Sequence, residues 1–116
     1  RVRAGREVLA HDYLHAWKRL HAIRASYLAA TAGYDAVICP TAANMPPNLD
    51  RLISDEAYYK ASNLMALRNT RVANLMGLAS LSIPTGVPST GIMLNCAPDT
   101  EARLLRLGVA VAAAIG

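Results

Sequence analysis

The chain has 116 residues, 53% of them apolar, but 22 are alanine, phenylalanine is absent and only six are aromatic. Large side chains supply most burial energy, so this set makes a thin core, and the length excludes a two-domain enzyme. The formal charge of +4 comes from twelve basic residues scattered from Arg1 to Arg106, with no run that would mark a nucleic-acid or membrane partner.

The longest apolar run, Leu107 to Ile115, has nine residues, against the roughly 20 a helix needs to cross a bilayer. Cys39 and Cys96 each lie in an apolar stretch and read as separate buried thiols, with a disulfide between them also compatible. No leader pattern is present, and a cytoplasmic location is the default expectation. The chain opens on Arg1-Val2-Arg3 without a methionine, and reads as a piece of a larger protein.

In chain order, Val8, Leu9, Tyr13, Trp17, Leu20, Ile23 and Tyr27 recur at gaps of three and four after Leu9. They predict an amphipathic helix from about residue 6 to 30, with Gly33 as its cap. Tyr34 to Thr41 is a short apolar run stopped by Pro40, and reads as a strand buried on both faces. From Thr41 to Leu52 no period survives, which predicts a loop of about twelve residues. Ser54, followed by Asp55 and Glu56, predicts a capped helix start. That helix runs to Leu67, is interrupted at Asn69-Thr70 and resumes to Gly77, as two helices or one kinked helix, with Gly77 suited to a helix end of positive φ and Gly86 to the turn after Pro84. Alternation from Leu78 to Pro84, turn residues through Gly91, then Ile92 to Cys96 predict two strands able to form a hairpin. Asp99 or Thr100 caps a last helix to Ile115. The expectation is an α/β unit in the order helix-strand-loop-helix-strand-strand-helix. A three-stranded sheet standing alone would have open edges.

Candidate chemistry is sparse. His11 and His15 sit four apart around Asp12, as in zinc-binding helices. The acid is one methylene short, however, and no third ligand is in register, so a solvated helix face is the plainer reading. No Gly-x-Ser-x-Gly elbow exists, and Ser80 and Ser82 have no adjacent base. Cys39 is followed by proline and not by a helix start. The glycines are scattered singly, so no phosphate loop is present. No catalytic residue, metal site or cofactor is assigned.

Tyr34-Asp35-Ala36-Val37-Ile38-Cys39-Pro40-Thr41 resembles the strand and turn "YD-aliphatic-aliphatic-x-PT" of the amidase signature family. The passage Asn69-Thr70 through Asn74-Leu75-Met76-Gly77-Leu78 to Pro84-Thr85-Gly86 is similar to that family's "NTxxxNLxGLPALSxPxG". Gly91-Ile92-Met93-Leu94 with Asp99, Glu101, Leu104 and Leu105 resembles its closing strand and helix. The likeness covers residues 34 to 115. Ala79 stands where the family has proline, Asn95-Cys96 where it has Ile-Gly, and the loop from Val87 to Thr90 is short, which puts the adjoining strand pairing in question.

The resemblance implies the C-terminal piece of an α/β/α hydrolase acting on carbon–nitrogen amide bonds. In that family a nucleophilic serine, a bridging cis-serine and a neutral lysine do the chemistry, all upstream of the matched residues. This chain alone is therefore expected to be inactive, spanning 1–116 as one segment whose partner is the rest of its own domain. The substrate of the parent would be a small-molecule amide. Cys39, Pro40 and Thr41, with the loop after them, would line the substrate cleft. Asn69 and Asn74 are expected to tie helix ends to loops. Two alternatives stand beside this reading. One is the glutamine-hydrolysing subunit of a tRNA-dependent amidotransferase, disfavoured by Leu67 where that subunit carries an acid. The other is a non-enzymatic module that pairs with a partner or forms homo-oligomers through its sheet edges.

Overall fold

The computed structural model describes residues 3–115. A 3-10 turn over Arg3–Glu7 precedes α1 (Ala10–Thr31), β1 (Val37–Pro40), α2 (Leu49–Ser54), α3 (Glu56–Ala66) and α4 (Arg68–Met76). β2 (Ala79–Pro84), β3 (Gly91–Cys96) and α5 (Glu101–Ile115) complete the chain. The architecture is the mixed α/β expected, with α2 added.

The strands form one antiparallel sheet in the order β1-β3-β2. Alternation along β2 turns Ala79, Leu81 and Ile83 to one face and Ser80 and Ser82 to the other. The hairpin forms in full register from Ala79↔Cys96 to Pro84↔Gly91, so the short connection does not disturb the pairing. Its turn is closed by hydroxyls: Thr85 bonds Thr90, and Thr90 Oγ1 donates to the Val87 carbonyl at 2.9 Å. Gly86 takes φ 77° there, a conformation that costs a side-chain-bearing residue energy.

The core lies between the sheet and α5. Ala79, Ile83, Leu94, Cys96 and Leu104 are buried together, ringed by Leu81, Ile92, Leu107 and Val111. Gly108 brings α5 down onto β2, because a Cβ there would overlap Leu81 Cδ2. α5 packs on β2 and β3. Here the expectation for β1 fails: it is only half-buried and Ile38 is 62% exposed. The run was apolar enough for a central strand, but β1 is an edge whose α5-side residue has no helix over it.

The opposite face is held differently. Asn95 is only 6% exposed and lies on central β3. Its Oδ1 accepts from Ser80 Oγ at 2.8 Å, and its Nδ2 donates to the Val37 carbonyl at 3.2 Å. One amide thus ties all three strands, and a buried polar side chain is stable only when satisfied in this way. Tyr27 of α1 and Asn69, Val72 and Ala73 of α4 lie over this face, enclosing with Cys39 and Asn95 a cavity of about 210 Å³.

α4 ends at Gly77, φ 72°, and the Leu78 N–H returns to the Ala73 carbonyl at 3.0 Å. This left-handed cap is the one Gly77 suggested. Arg24 of α1 donates Nε–H to the Leu75 carbonyl at 2.7 Å, placing a cation at the negative end of α4. Its guanidinium also lies 5.7 Å from the centre of the Trp17 ring. The apolar stripe of α1 exists but is mostly open, with Tyr13 55% and Ile23 45% exposed. Leu20 and Tyr27 are half-buried.

Four local expectations are corrected. The loop after Thr41 ends at Asn48, whose side chain caps α2 by accepting the Arg51 N–H at 2.9 Å. Six residues are too few to show a helical period. Asp55, not Ser54, caps α3, accepting the Tyr58 N–H at 2.9 Å, while Ser54 Oγ donates back to the Asp50 carbonyl. The Tyr58 N–H, with help from Arg51, holds the Asp55 carboxyl below its ordinary range. The break between α3 and α4 falls at Leu67, and Asn69 and Thr70 lie inside α4. At the end of α1, Ala32 is the cap and Gly33 takes no left-handed φ.

Candidate functional site: an uncharged cleft at the end of the sheet

The end of the sheet where β1 stops, β2 ends and β3 begins opens into a cleft of about 610 Å³. One wall is the segment from Pro40 to Met45, and the other is made by Ser82, Pro84 and the turn residues Ser89, Thr90 and Gly91. The Thr41 N–H donates to the Gly91 carbonyl at 2.9 Å, extending the β1 pairing by one step into the cleft. Asn69 Nδ2 donates to the Pro40 carbonyl at 2.7 Å, so α4 anchors the same turn from behind. That is the tie expected of Asn69.

Within the lining the Thr41 and exposed Ser82 hydroxyls are 2.5 Å apart. Gly91 makes room for them. A Cβ on it would stand 3.0 Å from Thr41 Oγ1 and 3.3 Å from Ser82 Oγ. On the rim, Ser89 takes φ 62°, a strained conformation for a residue with a side chain. The lining carries hydroxyls, one amide (Asn44), methionine, alanine and proline, and no ionisable side chain among the described residues.

The three residues singled out from the sequence part company in space. Pro40 and Thr41 lie on the cleft. Cys39 lies on the cavity beneath α1 and α4, with Asn95 Nδ2 3.6 Å from its sulfur. The sequence points to neither Gly91 nor Thr90, and to Ser82 only as a serine without an adjacent base. Ser82 was visible as a small polar residue on an alternating strand, but nothing local showed that it meets Thr41 across 41 positions.

Elsewhere the ionisable groups do not converge. His11 and His15 stack edge to face on exposed α1, and no group of three metal-ligating side chains occurs among the described residues. Both cysteines are free. Burial pushes the Cys96 thiol up, Arg103 opposes this and Asp35 adds to it. Tyr27 is also raised, by burial and then by the neighbouring Cys39. No helix among the described residues is long and apolar enough to cross a membrane.

The family model described as Amidase matches residues 1–111. The chain is similar over its whole length, at 32% identity, to 2-amino-5-chloromuconic acid deaminase of Comamonas testosteroni. It spans 26% of the length of that relative. No solved structure matches. The strand, the Gly77 cap and the hairpin that carried the resemblance are all formed, and the chain belongs to the amidase family.

Proposed function

We propose that this chain is part of a hydrolase of carbon–nitrogen amide bonds, and that it supplies one wall of the substrate cleft. The reactive groups come from elsewhere in the same domain. The observation that carries this reading is the cleft itself, a 610 Å³ space in an amidase-family chain whose lining offers hydrogen bonds and no acid or base. Acyl transfer needs a nucleophile within hydrogen-bond reach of a base. The neighbour of Ser82 is a second hydroxyl, which cannot take its proton at neutral pH. Ser82 is therefore a wall residue.

Family membership supports the bond type, and the relative's name describes loss of an amino group, also a carbon–nitrogen cleavage. Leu67 at the joint of α3 and α4, where the glutamine-hydrolysing subunit carries an acid, favours a general amidase over that subunit. The rest of the amidase domain is the partner in this reading, and a small amide the substrate.

The test is direct. The 116-residue chain incubated with amides, esters or hydroxamates should give no turnover and no acyl adduct by mass spectrometry, whereas the complete protein should hydrolyse amides. An acyl adduct on this chain alone would overturn the assignment.

A further inference from the structure

We infer that the Thr41–Ser82 hydroxyl pair is a specificity subsite for an uncharged carboxamide-like group on the substrate. This inference rests on the amide-hydrolase reading and names the chemistry of the substrate end that meets this wall.

Each hydroxyl has one donor and two acceptor lone pairs. The 2.5 Å contact uses one donor and one lone pair, and neither hydroxyl has another protein partner among the described residues. One O–H and three lone pairs are therefore left facing the cleft. That remainder suits a group that both accepts and donates. A carboxamide does so, its carbonyl taking the free O–H and its N–H reaching an oxygen of the pair.

Charged groups fit this wall poorly. A carboxylate has acceptors only, so it would meet one donor and several lone pairs. An ammonium has donors only, and this wall offers no carboxylate to balance it. Moving a charge from water to an uncharged wall is costly unless it is paired. Nor is the pair an accident of spacing. Gly91 is the residue that admits it, because a side chain there would crowd both oxygens. The backbone bond from Thr41 to Gly91 fixes the approach.

The complete protein is tested with amides sharing one scissile group and ending in a carboxamide, a methyl or a carboxylate. Ser82→Ala and Thr41→Val should each raise KM about 3- to 10-fold for the carboxamide-ended substrate, the size of one hydrogen bond. The methyl-ended substrate should change less than about 2-fold, and kcat should hold for both. Equal effects on both substrates, or none on either, overturn the subsite, since a merely structural hydroxyl pair would move all substrates together.

Binding gives a readout without turnover. Titration of the complete protein with propionamide, propionate and propylammonium, followed at the Gly91 amide by NMR, should give saturable shifts with propionamide alone. Responses to all three, or to none, overturn the inference. Propionamide binding without any amide hydrolysis would sink the catalytic reading and leave the subsite standing. Hydrolysis without that binding would do the reverse.

Discussion

The two faces of the sheet are held by different physics. On the α5 face, Leu94, Ile83 and Leu104 form a dry cluster, and Gly108 brings helix and strand into direct contact. On the other face, Asn95, Ser80, Asn69 and Arg24 hold strands and helices with directed hydrogen bonds, and the cleft opens at its edge. Packing tolerates changes of identity that conserve volume. A hydrogen-bonded face fixes where each oxygen points, which is what a binding wall requires. Stability and positioning are thus divided between the two sides.

The sharpest test of that division is volume. Leu94→Ala in the complete protein should cost about 2–5 kcal/mol in urea unfolding, because Leu94 is 0% exposed and the surrounding packing collapses only partly. Asn95→Ala should cost about 1–3 kcal/mol, mainly by leaving the Ser80 hydroxyl and the Val37 carbonyl short of a partner. A larger loss at Asn95 than at Leu94 would break the comparison.

Gly108→Val tests the contact from the other direction and should cost about 1–3 kcal/mol by overpacking against Leu81. Arg24→Ala should lose about 1 kcal/mol, read by the same unfolding curves, since the group is partly solvated and caps only one carbonyl of α4.

The smallest effect is one of pH. Burial raises the Cys96 thiol above its ordinary value of 9.0, so the unfolded thiol ionises first. Its contribution is therefore whole below about pH 9 and fades as the pH climbs through the folded value. Stability measured from pH 8 upward should fall less steeply in Cys96→Ala than in the parent.

How much of this was legible depended on range. Gly77 and Gly86 announced their left-handed positions, and the Ser/Leu alternation of β2 announced its two faces. Those signals lie within a few residues. The apolar content of β1 could not reveal which strand would be central, because that depends on β3 inserting between β1 and β2. The spacing of the α1 stripe is enough to specify a helix, while its exposure depends on what else packs there. In the cleft, Pro40 and Thr41 were reachable from the turn, but Ser82 and Gly91 become neighbours of Thr41 only once three strands are in register. Strand parity also separates Cys39 from Pro40, which a linear motif cannot show.

Among the described strands β3 alone is bonded on both sides, and it carries both the fully enclosed Leu94 and, at its first residue, part of the cleft lining. Its amides should therefore be the last to take up deuterium, and those of α1 among the first. A molecule seated against Gly91 would press on the slowest-opening part of the chain, so occupancy of the cleft should register as protection spreading along the whole hairpin.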